Sequence, residues 1–251
     1  MDPVQFINLI SLIIAGLALV FLARYLWTSF FGGADKPLRW QQDKQAGKVP
    51  QAVLLTEGQY PDKVRFYNFW FQLSRILDEN IPGSLAELGV YKGETARLLH
   101  HAAPDRLLYL FDTFSGFPAT DLQGERGEAA TYTPRHFADT SVEKVLRTIG
   151  ASRNLVVRQG YFPETAAGLE DERFALVSMD ADLYKPTLAG LHFFYPRLSP
   201  GGVLLIHDHD ARWPGILQAV QEFSAGIPES FIPIPDMHST MMLVKNRRPS
   251  S

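Results

Sequence analysis

The 251-residue sequence predicts a doubly wound, mostly parallel α/β sheet preceded by one N-terminal transmembrane helix. Short apolar runs alternate with segments of helical period, the pattern of a parallel sheet covered on both faces. The runs lie at 85–88, 107–111, 155–158, 174–179, 203–206 and 241–244, and most are too continuously apolar to leave one face wet. The third observation is a long apolar stretch near the N-terminus that has no polar face.

Residues 6–23 are apolar apart from Asn8 and Ser11, matching the roughly 17 to 25 residues a helix needs to cross a hydrocarbon core. A cleaved signal peptide is disfavoured, because positive charge before the run and a small-residue cleavage site after it are both missing. Arg24, Lys36, Arg39, Lys44 and Lys48 follow the run. The positive-inside rule therefore predicts a single-pass membrane protein whose remaining chain is cytoplasmic. Tyr25 and Trp27 suit the interfacial aromatic belt. Residues 1–27 are read as the anchor, 28–55, which include Gly32 and Gly33, as a juxtamembrane linker, and 56–251 as the globular domain.

Between 64 and 78, Phe66, Phe69, Trp70, Leu73, Ile76 and Leu77 recur at helical spacing, and Asn80, Pro82 and Gly83 end the helix. Phe66, Trp70 and Phe71 suit a subunit contact as well as a core, so a homo-oligomer is an open expectation. The polar, glycine-bearing segment 120–140 is long for a βα connection and is expected to form a lid.

With 46 % hydrophobic and 20 % charged residues the chain can bury a core. Its net charge of −3 provides no basic field for a phosphate backbone, so nucleic acid is not an expected partner. Zero cysteine excludes disulfides, thiolate zinc sites, cysteine-held iron–sulfur clusters and a cysteine nucleophile, leaving any metal to carboxylates and imidazoles.

The strand ends carry the polar signals. After the first run comes Glu87-Leu-Gly-Val-Tyr-Lys-Gly93, whose glycines let backbone approach a ligand. Only Gly89 and Gly93 are present where a dinucleotide fingerprint needs three glycines, which favours a nucleoside ligand without pyrophosphate, and Glu87 suits a cationic ligand end. Asp112 closes the second run and can accept from ribose hydroxyls. The fourth and fifth runs end in Asp180-Ala-Asp182 and His207-Asp-His-Asp210. On strands about 4.8 Å apart such carboxylates repel unless a cation or a proton sits between them, or they cap the following helices in solvated turns. A hard divalent ion held by oxygen ligands answers this.

These residues closely resemble the macrocin-type O-methyltransferases. The resemblance rests on the Glu87–Gly93 loop, Phe111-Asp-Thr-Phe-Ser-Gly-Phe-Pro118, Gly160-Tyr-Phe-Pro-Glu-Thr165, Met179-Asp-Ala-Asp-Leu-Tyr-Lys-Pro-Thr187 and Ser199-Pro-Gly-Gly202, in order over about 80–223. It implies the seven-stranded, Rossmann-like class I methyltransferase sheet, S-adenosylmethionine as cofactor, and a divalent metal, normally magnesium. By position it makes Glu87, Gly89, Tyr91 and Gly93 the cofactor loop, with Asp112 and Thr113 at the ribose. Asp180 becomes a metal ligand and Asp182 the general base. The family usually places two adjacent aspartates after the fifth strand, where this chain has His207-Asp208. Asp208 is expected to bind metal. His207 is expected either to bind it through nitrogen, which tilts preference toward manganese or iron, or to support it from behind with Asp210 taking over. His209 is expected in the substrate cleft, and His100, His101, His136, His192 and His238 as structural residues.

The chemistry implied is methyl transfer to a hydroxyl of a sugar or glycosylated acceptor. The acceptor is expected to be a small molecule or a glycolipid, and anchoring at a membrane through 6–23 points to the lipid-linked kind. Two other readings stay open: a membrane-tethered scaffold that binds S-adenosylmethionine without turnover, and an NAD(P)-dependent reductase, which the missing third glycine disfavours.

Overall fold

The computed structural model describes residues 2–30, 36–150 and 152–247, with 27–30 described by backbone alone. The side chain of Trp27 and the linker residues Gly32 and Gly33 lie outside the described residues. The chain divides into two compact units, Met1–Lys48 and Val49–Ser251. The first holds α1 (Pro3–Phe30) and α2 (Leu38–Gln45). Within α1 the stretch Pro3–Leu26 is long and apolar enough to cross a membrane, and it is exposed along its whole length.

The linker expected over 28–55 is corrected here. It contains α2 and the start of α3 (Gln51–Gln59), and the boundary expected at 56 falls inside α3, because the second unit already begins at Val49. Pro37 and Pro50 directly precede these helices. Their fixed φ suits a helix start, a signal masked by the mixed charge around them.

In the second unit, Asp62 caps α4 (Lys63–Asp78) by accepting the Arg65 N–H at 3.0 Å. The helix buries Phe66, Phe69, Trp70, Leu73 and Ile76 along one stripe. Phe66 and Trp70 are therefore buried within the single chain rather than free for a subunit contact.

Then follow β1 (Ser84–Leu88), α5 (Glu94–Ala102), β2 (Leu108–Asp112), α6 (Val142–Ile149), β3 (Leu155–Gln159), β4 (Phe174–Met179), α7 (Tyr184–Phe194), β5 (Leu198–Ile206), α8 (Pro214–Ser224), β6 (Ile232–Pro233) and β7 (Met241–Val244). They form one seven-stranded sheet in the order β3-β2-β1-β4-β5-β7-β6, parallel except for β7. All six predicted runs are strands. The additional strand, β6, has two residues and a proline, too little for a periodic signal. β5 begins earlier than 203, because Ser199-Pro-Gly-Gly202 continues the strand where its composition signals a turn.

β1, β2, β4 and β5 are buried on both faces, as their unbroken apolar runs require. Helices α3 to α6 pack among themselves, and α7 packs on α8. Strand order reverses between β1 and β4, so the loops after these two strands diverge and leave a crevice at their carboxyl ends. The expected lid is instead a fastened wall. It carries a short 3₁₀ helix (Gly127–Thr131), Glu125 accepts the Tyr184 N–H at 2.7 Å, the Glu128 N–H donates to the Arg212 carbonyl at 2.7 Å, and the Trp213 indole donates to the Tyr132 hydroxyl at 3.2 Å.

Candidate active site

The carboxyl ends of β1, β2, β4 and β5 open on a single cleft of about 570 Å³. Of the residues singled out in the sequence, Glu87, Gly89, Tyr91, Asp112, Thr113, Asp180, Asp182, His207 and Asp208 line it, whereas Gly93, His209 and Asp210 do not.

Glu87 is 2 % exposed in the middle of an apolar strand, and its Oε2 is buried without a hydrogen-bond partner among the described residues. Burial, then the nearby Asp180 carboxylate, pushes its pKa well above the usual range, although Arg65 opposes this. A cationic group entering the cleft would satisfy that oxygen and restore its charge. The amino group of S-adenosylmethionine is such a group, so this floor fits the cofactor.

The glycines of this loop serve packing more than ligand approach. A Cβ on Gly89, at φ +85°, would stand 1.9 Å from the Asp180 carbonyl oxygen; one on Gly93, at φ +81°, would meet Val145 of α6 at 3.0 Å. Asp112 is likewise largely engaged. Its Oδ2 accepts the N–H groups of Val90 and Tyr91 at 2.7 and 2.9 Å, and its Oδ1 that of Phe114 at 2.7 Å. A carboxylate has about four acceptor positions. Asp112 therefore binds the β1 loop to β2 and has room for one ribose hydroxyl, not two. Thr113 donates to the Gly116 carbonyl at 2.6 Å and shapes the same turn.

Register builds the acidic half. Met179 pairs with Ile206 across β4 and β5, which sets Asp180 beside His207. The His207 Nδ1 lies 3.0 Å from Asp180 Oδ1 and 3.2 Å from Asp208 Oδ1, while Arg65 holds Asp180 Oδ2 at 2.9 Å. Asp182 and Asp208 adopt φ of +59° and +58°, left-handed conformations that aspartate tolerates better than most residues. One oxygen each from Asp180, Asp182 and Asp208 lie within 4.8 Å of one another.

Charge is thereby concentrated. Burial would raise the Asp180 pKa, but His207 and Arg65 outweigh it and hold the group well below the usual carboxylate range. Asp182 moves the opposite way, driven up by burial and then by the charges of Asp180 and Asp208. Burial works against the His207 imidazolium, yet Asp180 beside it raises the pKa to about 9. Cations and a proton thus offset the crowding, as the adjacent strand ends require.

Three expectations are corrected here. His209 does not reach the substrate cleft, and burial lowers its pKa. Asp210 is turned onto Arg212, with Oδ2 2.7 Å from the guanidinium, and cannot replace His207. His238, expected to be structural, instead enters the site with Nδ1 3.3 Å from Asp208 Oδ1 and its ring 5.1 Å from that of His207. Arg65 and His238 carried no local signal. Only the charge that Asp180 needs could have pointed to a distant arginine.

A family model described as macrocin-O-methyltransferase matches residues 58–239. The chain belongs to the macrocin-O-methyltransferase family. The matched region takes in Arg65 of α4 and His238, both outside the motif span recognised in the sequence. Relatives include the demethyldecarbamoylnovobiocin O-methyltransferase of Streptomyces niveus, 29 % identical over 161 residues, which are 60 % of this chain and 61 % of that one. The mycinamicin III 3''-O-methyltransferase of Micromonospora griseorubida is 31 % identical over 172 residues, 63 % of this chain and 67 % of that one. This macrocin-family chain spans about 60 % of the length of the first two relatives it matches. Among solved structures, the O-methyltransferase NovP superposes with a TM-score of 0.65 at 25 % identity, covering 74 % of this chain and 81 % of that one. A calicheamicin methyltransferase gives 0.56 at 22 % identity over 86 % and 89 %, a likeness of fold alone.

Proposed function

We propose that this chain is a membrane-anchored, divalent-metal-dependent methyltransferase that moves a methyl group from S-adenosylmethionine to a hydroxyl of a sugar or glycosylated acceptor. One observation carries the reading: Glu87, whose Oε2 has no hydrogen-bond partner among the described residues, and the Asp180–Asp182–Asp208 group share one cleft. Family membership and relatives named for O-methylation support it.

Glu87 would bind the amino group of the cofactor, Asp112 would take a ribose hydroxyl, and Tyr91 and Thr113 would border the nucleoside. Asp180, Asp208 and His207 would hold the divalent cation, whose donor set of carboxylates and an imidazole fits such an ion; when bound, it lowers the pKa of a neighbouring hydroxyl. Positive charge there would also relieve the repulsion that keeps a proton on Asp182. Asp182 is the group placed to accept the proton of the acceptor hydroxyl, a role typically worth about 10²- to 10⁴-fold in rate. The fastened wall with Tyr132, together with Trp213, would limit water around a bound cofactor.

The α1 span anchors the enzyme, and the lysines and arginines after it favour a cytoplasmic catalytic unit, on the side that holds the methyl donor. That location supports a lipid-linked acceptor. The test has two arms. Full-length protein in detergent should transfer labelled methyl from S-adenosylmethionine to glycosylated acceptors, lose turnover in chelator and regain it with a divalent metal. Mass spectrometry of membrane extracts after gene deletion should reveal a glycan or lipid lighter by one methylation. Full turnover in excess chelator would overturn the metal requirement, and absence of methyl transfer with tight NADH binding the whole reading.

A further inference from the structure

The metal reading just given uses residues at the ends of β4 and β5, but the cleft holds one more donor that the family motifs do not include. His238 lies on the turn between β6 and β7, far along the chain from every other ligand. That turn is held in place: Asp62 accepts the Met237 N–H at 2.7 Å, Asp236 accepts the Thr240 N–H at 2.7 Å, and the His238 ring rests between those of His207 and Trp213, 5.1 and 5.9 Å away. His238 Nδ1 and Asp208 Oδ1 face each other at 3.3 Å, yet both atoms are buried and neither has a well-aligned hydrogen-bond partner among the described residues. Asp208 is itself 4 % exposed.

Buried polar atoms that face each other at that separation without a well-aligned hydrogen bond are satisfied by a shared proton or by a cation. Cation–donor bonds of about 2.1 Å in tetrahedral or octahedral geometry put neighbouring donors about 3.0 to 3.4 Å apart. The Asp208 Oδ1 contacts to His207 Nδ1 and His238 Nδ1, at 3.2 and 3.3 Å, fall in that range, and one donor atom from each of the three residues lies within 4.8 Å of the others.

We propose, resting on the metal reading above, that His238 is a direct ligand, so that two imidazoles join the carboxylates and the site prefers a first-row transition cation of the manganese, iron or cobalt type over magnesium. Imidazole nitrogen favours such ions, whereas magnesium takes oxygen donors. His238 remains partly exposed on the cleft side, so coordination positions stay available to an acceptor hydroxyl.

The test uses full-length protein in detergent, stripped by chelator and titrated with Mn(II). Pulsed electron paramagnetic resonance should detect nitrogen couplings from two imidazoles, and magnesium should compete poorly. His238→Ala should keep cofactor affinity within a few-fold, show one imidazole, bind Mn(II) about tenfold or more weakly, and let magnesium compete at least tenfold better. A histidine that merely orients Asp208 would also weaken binding, by about 10- to 100-fold, so the nitrogen count in the parent decides, whether or not the variant folds. A parent signal of one imidazole, unchanged in His238→Ala, overturns the ligand role and leaves the metal reading standing. Absence of Mn(II) binding by a parent that binds S-adenosylmethionine overturns both.

Discussion

The carbonyl oxygen of Asp180 lies 1.9 Å from where a Cβ on Gly89 would stand, so the turn after β1 and the acidic end of β4 occupy one space. The cofactor loop and the acidic cluster are thereby a single rigid junction at the point where strand order reverses. Backbone bonds on both sides fix it, from Gly89 N–H to the Phe111 carbonyl at 2.9 Å and from Asp180 N–H to the Leu88 carbonyl at 2.8 Å.

Gly89→Ala should therefore damage both halves at once. A left-handed φ on alanine costs about 1 to 2 kcal/mol and overpacking about 1 to 3 more. Thermal unfolding should show a loss of about 3 kcal/mol, and calorimetry a loss of both cofactor and Mn(II) affinity. Loss of one with retention of the other would separate what this junction joins.

Glu87 gives a pH signature. With its native pKa raised, it keeps in the folded state a proton that the unfolded chain releases above about pH 4.3. The group's contribution to stability therefore falls as pH rises from there through the native value. Glu87→Gln should match the parent near pH 4, exceed its melting temperature at pH 8, and bind S-adenosylmethionine about 10- to 100-fold more weakly, the loss of one hydrogen bond to a charged group. Parallel melting curves across pH would contradict the burial argument.

Asp182 separates chemistry from binding. Asparagine keeps the size and accepts the left-handed φ of +59°, but cannot take a proton at neutral pH. Asp182→Asn should lower kcat by about 10² or more while cofactor and Mn(II) affinities stay within a few-fold. Single-turnover rates should lose their rise with pH in this variant and keep it in His209→Gln, since His209 lies outside the cleft lining. The reverse pattern would transfer the base to His209.

Topology is tested without the fold. A reporter fused after Ser251 should give a cytoplasmic signal, because the positive charges follow the apolar span. Protease accessibility of that end in intact cells or periplasm would reverse the orientation.

The sequence by itself determined the sheet, the acidic strand ends and the family, because each is written in contiguous residues: apolar runs too continuous for a wet face, carboxylates at the ends of those runs, and ordered motifs. It even pointed to a cation or proton between the acidic ends of the fourth and fifth strands. What supplies that charge was decided by tertiary structure. Arg65 reaches Asp180 from 115 residues away, and the turn carrying His238 is held by Asp62 across a separation of 175 residues from Met237. The role of Gly89 was also decided there, since its missing side chain leaves room for a strand end that comes 91 residues later. Local patterns record which face of a strand or helix is buried, whereas the partner of a buried charge depends on where the connections return the chain, and no short-range periodicity encodes that.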